Sequence, residues 1–377
     1  MDIRPSRWLI GTTGALLALA LAGCGGAGGS AAAGASNWAT ATSAQAAGGT
    51  DALVAAAKKE GELNVIALPR DWANYGALLD TFGKKYGIKI NSANPEGSSA
   101  DEITAVKRLG KQNRAPDVLD IGQSFAVANT ALFAPYQVAT WDTVPAENKA
   151  ANGEWVNDYG GYISIGCNAK LVKNCPTTFA DLAKPEYKGK VALNGDPTQA
   201  AAAFSGVFAA SLANGGSFDD IGKGVDFFAT LNKAGNFLKL DPTPATIESG
   251  QSPIVIDWDY TNAAQAVKLK GKLDWKVAVP SDGLVAQYYA QAVNKNAPHP
   301  AAARLWQEFL FSDEGQNLWL KGQARPIRLP AMEQAGTADK TALAALPTVQ
   351  GQVKYPTQAQ IDNANKVLGE KWASSLR

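Results

Sequence analysis

The chain has 377 residues, with 35 Lys and Arg against 34 Asp and Glu, a single histidine and three cysteines. A formal net charge of +1 lacks the electrostatic footprint of a nucleic-acid-binding protein, so no nucleic-acid partner is expected. The one histidine, His299, also makes a zinc site a poor fit, and neither a metal nor a cofactor is expected.

Arg4 and Arg7 precede an uncharged run, Trp8 to Gly23, that closes in Leu21-Ala22-Gly23-Cys24. The run is too short to span a bilayer, and with its basic start it predicts a secretory signal over residues 1–23. The small residues before Cys24 resemble the lipobox of bacterial lipoproteins. That resemblance implies acylation of Cys24 and an extracytoplasmic protein held on the cell membrane by a lipid anchor. Residues 24–50 are almost entirely Gly, Ala, Ser and Thr after the cysteine, a composition that predicts a flexible linker with folded structure beginning near Asp51. Without Asp2, Arg4 and Arg7 the charges balance at 33 of each sign.

What remains exceeds the usual single-domain size and predicts two lobes. Leu63 to Leu68 suits a buried strand, Tyr75 to Tyr86 carries Leu78, Leu79 and Phe82 at helical spacing, and Ile88 to Asn91 returns as a strand. Ser99-Ala-Asp-Glu102 fits a capping box for a helix through Leu109, ahead of the strand Val118 to Gly122. A second series follows. Strands are expected at Tyr162 to Cys167, Lys190 to Asn194, Ile254 to Asp259 and Trp275 to Pro280. Helices are expected near Phe179, from Pro197 to Leu212, from Asp219 to Leu231 and from Tyr260 to Lys268. Tyr288 to Asn294 reads as extended, and Pro300 opens a helix whose Leu305, Trp306, Phe309 and Leu310 share one face. Repeated β-α-β units predict an α/β protein with mainly parallel sheets. Cys167 and Cys175, eight positions apart in a chain directed to an oxidising compartment, are expected to form a disulfide, two buried free thiols being the alternative.

Four segments together, Ala115-Pro-Asp-Val-Leu-Asp120, Pro185-Glu-Tyr-Lys-Gly-Lys-Val191, Ala297-Pro-His-Pro-Ala-Ala-Ala303 and Phe311-Ser-Asp-Glu-Gly-Gln316, resemble the ferric-iron, polyamine, thiamine and aminoethylphosphonate group of periplasmic binding proteins. The resemblance implies a two-lobed type II periplasmic-binding-protein fold, with lobe 1 from 51–160 plus 286–377 and lobe 2 from 161–285. Two crossovers are expected near Tyr159 to Ile165 and Ser281 to Gln287. It implies a monomer that captures a small solute in the interlobe cleft by hinge closure and delivers it to an ABC permease with a cytoplasmic ATPase.

Open α/β sheets bind ligands at the carboxyl ends of their strands, which nominates residues independently of the family. Past successive strands lie Arg70, Asp71 and Trp72; Ser98 and Ser99; Gln123 and Ser124; Asp196 and Thr198; and Asp257, Asp259 and Tyr260. Tyr288 and Tyr289 follow the second crossover. A period of two puts Asp257 and Asp259 on one face of a strand end, which suits a cationic, amine-bearing and polyamine-like solute, although Asp259 could equally cap the next helix. Trp72 and the tyrosines could wall a cation site. Gly97-Ser98-Ser99 could hold an anion or merely cap a helix. Ferric iron and a zwitterionic aminophosphonate, or thiamine, are the rival solutes. An extracytoplasmic hydrolase is the rival class: its histidine would be His299, between two prolines, and no Gly-x-Ser-x-Gly elbow follows a strand, so an enzyme is not expected.

Overall fold

The structure is a computed structural model that describes residues 37–377 apart from 352 and 354. The signal segment, Cys24 and the first part of the linker lie outside the described residues. The linker ends earlier than its composition implies: Trp38, Ala41 and Ala44 are buried, and the buried Arg304 guanidinium donates to the Ala39 and Ala41 carbonyls at 3.1 and 2.9 Å. One tryptophan and two backbone carbonyls in an otherwise small-residue stretch suffice to dock it, because a buried guanidinium must find acceptors.

The first lobe opens with α1 (Thr50–Glu60), β1 (Glu62–Ile66), α2 (Tyr75–Tyr86), β2 (Lys89–Ala93), α3 (Ser99–Leu109) and β3 (Val118–Gly122), then α4 (Gln123–Ala128) and β4 (Phe133–Ala134). β1 and β2 pair in parallel from Glu62↔Lys89 to Ile66↔Ala93, the predicted β-α-β unit. The capping box of α3 forms one residue earlier than expected: Ser98 is the N-cap, its hydroxyl accepting from the Asp101 amide while the Asp101 carboxylate accepts from the Ser98 amide.

A single long strand, β5 (Val156–Asn168), then belongs to both lobes. Its first half pairs with β9 and its second half, from Ile163, with β7 and β8, so the chain crosses at Tyr162/Ile163. The second lobe adds β6 (Val191–Leu193), α5 (Ala201–Ala213), α6 (Gly222–Ala234), α7 (Pro244–Glu248), β7 (Ile254–Trp258), α8 (Asp259–Lys268) and β8 (Trp275–Ala278). β9 (Ala286–Asn294) returns to the first lobe beside β3. Both β5 and β9 run antiparallel to their neighbours, so the sheets are mixed, not mainly parallel as the β-α-β pattern suggested; among the strands of the described residues, parallel pairing joins β1–β2 and β6–β7. Near Phe179 a short 3-10 turn, Ala180–Ala183, replaces the expected helix, with Asp282 accepting the Phe179 and Ala180 amides and Pro185 close behind. Cys167 and Cys175 are joined, their Cα atoms 5.8 Å apart.

The chain ends with α9 (Pro300–Leu310), α10 (Asp313–Lys321), β10 (Arg325–Pro326), α11 (Leu329–Ala335), α12 (Lys340–Ala344) and α13 (Gln358–Ser375). Trp306 and Phe309 of α9 pack on Phe82 of α2, as their shared face predicts. The last helix does not stay with the first lobe. Ile361, Ala364, Leu368 and Trp372 form a buried stripe on α13, and Trp372 meets Phe228 of α6 with ring centroids 5.5 Å apart, so residues 358–375 pack on the second lobe.

Candidate functional site: an acidic cleft between the lobes

The ends of β1, β3 and β9 on one side face β6, the start of α5 and the loop before α7 on the other, enclosing a cleft of about 690 Å³. That volume suits a small molecule. Six of its lining side chains are carboxyls, Glu96, Asp101, Glu102, Asp120, Asp196 and Asp241, and no Lys, Arg or His is among the lining residues. A hollow of about 790 Å³ between β1, β2 and α3 contains Arg108 and Arg114 and lies outside the interlobe space.

At the cleft floor Trp72 meets Tyr260 and Tyr289 edge-on, at 5.7 and 5.9 Å between centroids, and Tyr289 stacks on Tyr159 at 5.5 Å. The Trp72 indole N–H donates to the Tyr159 hydroxyl at 2.8 Å. Asp120, 6% exposed, accepts at Oδ2 from the Tyr75 and Tyr159 hydroxyls at 2.6 and 3.0 Å. Its backbone amide donates to Glu102 Oε2 at 3.1 Å. Burial pushes the carboxyls of Asp120, Glu102 and Asp241 up from the ordinary range.

Several residues nominated from strand ends and from the second crossover stand around this cleft. Trp72, Ser98, Ser99, Asp196 and Tyr289 all line the cleft. Ser98 is engaged as the α3 cap, and the Ser99 hydroxyl accepts from the Gly122 amide at 3.1 Å. Asp196 accepts from both the amide and the hydroxyl of Thr198, which holds Thr198 in a turn and not toward the cleft space. Tyr288 and Tyr289 point to opposite faces, as neighbours on a strand must: Tyr288 stacks on Tyr355 and Tyr289 turns to Trp72. Gln123 and Ser124 start α4 and do not line the cleft.

Other nominated residues stand elsewhere. Arg70 pairs with Asp80 at the surface, and Asp71 pairs with Lys268 of α8 at 2.9 Å, joining the two lobes outside the cleft. Asp257 and Asp259 are buried and absent from the cleft wall, so the same-face pair does not present two carboxylates to a ligand. The strand ends at Trp258 and the alternation breaks there. Asp259 begins α8, accepts the Tyr162 amide at 2.9 Å and forms an ion pair with Arg325. Asp257 accepts its neighbour Trp258's amide at 2.7 Å and the Asn194 side chain, and burial pushes its carboxyl up to about 7. Tyr260 lies buried beneath Trp72 with its hydroxyl unpartnered. The residues that sequence reasoning missed, Asp120, Glu102 and Asp241, sit inside a strand, on a helix and in a loop. Asp120 was nonetheless conspicuous as the one charge in the apolar run Val118 to Gly122.

Two α/β lobes that share strands and flank a ligand-sized cleft define the periplasmic-binding-protein fold. The chain belongs to the bacterial extracellular solute-binding protein family, whose model matches residues 115–349. No curated protein sequence matches it. Among solved structures it is similar to the periplasmic binding protein AfuA of Actinobacillus pleuropneumoniae with fructose-6-phosphate bound, at 20% identity and a TM-score of 0.65, covering 84% of this chain and 98% of that one. Iron-bound HitA of Pseudomonas aeruginosa gives 21% identity and a TM-score of 0.59, covering 83% and 99%. The spermidine/putrescine substrate-binding protein PotD of Streptococcus pneumoniae gives 16% and 0.55, covering 84% and 99%. At these identities the likeness carries the fold.

Proposed function

We propose that this protein captures a small cationic, amine-bearing solute in the interlobe cleft and delivers it to the permease of an ABC importer, tethered outside the cell through acylated Cys24. The observation that carries the assignment is the cleft's composition: six carboxyls, an aromatic floor of Trp72 and Tyr289, and no basic lining residue. Buried carboxyls without a cation or sufficient donors are costly, and an ammonium group supplies both charge and donors. Trp72 and Tyr289 add cation-π attraction of about 0.5–2 kcal/mol per contact. In this assignment Asp120, and not Asp257, is the principal anchor.

A thermal-shift screen over linear diamines and polyamines, ferric iron, sugar phosphates and aminophosphonates tests it. A solute that binds only the folded state stabilises by about 2.7 kcal/mol at a hundredfold excess over Kd, so an amine response is expected to be plain. A response confined to iron or to the anionic solutes would refute the cationic assignment.

A further inference from the structure

Three carboxyl side chains meet under the aromatic floor: Asp120 on β3, Glu102 on α3 and Asp158 on β5, which are 6%, 1% and 0% exposed. A chain of hydrogen bonds links Asp120 to Asp158: Tyr75 donates its hydroxyl to Asp120 Oδ2 at 2.6 Å, and the Gln291 side-chain amide donates to the Tyr75 hydroxyl at 3.1 Å and to Asp158 Oδ2 at 3.0 Å. Apart from Asp101 of α3, a like charge beside Glu102, the groups facing them are neutral. Tyr75 of α2 and Tyr159 of β5 donate hydroxyls to Asp120, and Gln291 of β9 donates its side-chain amide to Asp158 Oδ2 at 3.0 Å. Asp158 Oδ1 accepts the Tyr159 amide at 2.7 Å. Trp72, Tyr260 and Tyr289 close the top. Among the described residues no Lys, Arg or His forms an ion pair with Asp120, Asp158 or Glu102. Asp120 Oδ1 and Gln291 Oε1, both buried, receive no N–H or O–H from the protein. Like charges in so dry a site cannot all be ionised, because nothing nearby compensates them.

We infer that the Asp120–Asp158 pair holds one proton in the ligand-free protein and releases it to solvent when a cationic group of the solute enters, so that capture exchanges one cation for one proton. This rests on the cationic assignment above. The carboxyl O–H bond breaks, its electron pair stays on the carboxylate, the proton leaves to buffer, and the incoming ammonium donates to the freed oxygen. The solute then binds more tightly as pH rises, by about tenfold per pH unit while the pair is still protonated and not at all beyond that range. Burial places the release above the ordinary carboxylate range, within reach of neutral pH.

Calorimetric titration with 1,4-diaminobutane, from about pH 5.5 to about pH 8, in two buffers of different ionisation enthalpy reads the exchange. Expected is a buffer-dependent heat equivalent to about one proton released per solute near neutral pH, vanishing in Asp158→Asn, whose affinity becomes nearly independent of pH. A heat independent of buffer with affinity flat in pH would overturn the exchange while leaving the amine site in place. No heat with any amine would overturn the cationic assignment and this inference with it. Should Asp158→Asn fail to fold, carbon-13 NMR of the aspartate carboxyls in the unaltered protein decides. An aspartate titrating far above the ordinary range and shifted by added diamine is expected, and aspartates all titrating in that range would overturn the proposal.

Discussion

Asp120 and Asp257 are both aspartates within buried strands, both raised by burial, yet the structure gives them different surroundings. Asp120 lines the cleft and ends on tyrosine hydroxyls, whereas Asp257 stands one layer behind Asn194 and ends on its neighbour's amide. Truncating a carboxylate that pairs with a buried ligand charge leaves the other partner unpaired, so Asp120→Asn is expected to weaken amine binding by about 2–5 kcal/mol. Asp257→Asn, which keeps the acceptor for Trp258, is expected to change affinity by less than about 1 kcal/mol. Calorimetry on both variants checks the pair, and a larger loss in Asp257→Asn would return the anchor to the strand-end carboxylate. The strand-end rule nominated Trp72 and Asp196, and the second crossover nominated Tyr289, because the chain's path alone brings them to the cleft wall. It missed Asp120 because β3 is buried on both faces, so no polar alternation marks which of its side chains looks outward. Arg325's pairing with Asp259 was beyond reach for another reason: the two residues are 66 positions apart and no local pattern links them.

At the scale of elements, the lobes touch where β3 ends and α5 begins. A Cβ added at Gly122 would lie 2.8 Å from the Ala201 Cβ, closer than side-chain carbons pack, while the backbone there (φ −53°) accepts alanine without strain. Gly122→Ala is therefore expected to prop the lobes apart, weakening solute binding by about 1–3 kcal/mol while circular dichroism shows a folded protein. Unchanged affinity would mean the contact plays no part in closure. Most elements of regular period were legible, including the β1-α2-β2 unit and the α9 face, since apolar spacing determines them. The start of α5 at Ala201, in place of Pro197, followed from the Asp196–Thr198 turn, which consumes the first residues of the expected helix. α13 escaped notice because its stripe is interrupted by polar and charged residues and finds its partner, α6, more than a hundred positions away.

At the scale of the whole molecule, three connections tie the lobes together. β5 and the return into β9 are the crossovers expected from the family resemblance, and Gly160 permits the close approach, since a Cβ there would collide with the Gln287 carbonyl. The third, the segment leading to α13, carries the chain back onto the second lobe, with Tyr355 stacked on Tyr288 beside β9. Polar links between the lobes, Asp71 with Lys268 and Asp259 with Arg325, lie outside the cleft, so cleft chemistry is left to the carboxyls and the aromatic floor. Under the proposed function, charge and not merely shape is what the cleft would select. The most direct measurement is a calorimetric titration of the unaltered protein with 1,4-diaminobutane and, separately, with 1,4-butanediol, which has the same chain length and no positive charge. The account predicts binding of the diamine and none of the diol at the same concentration. Equal binding of the two, or binding only of anionic solutes, would contradict it.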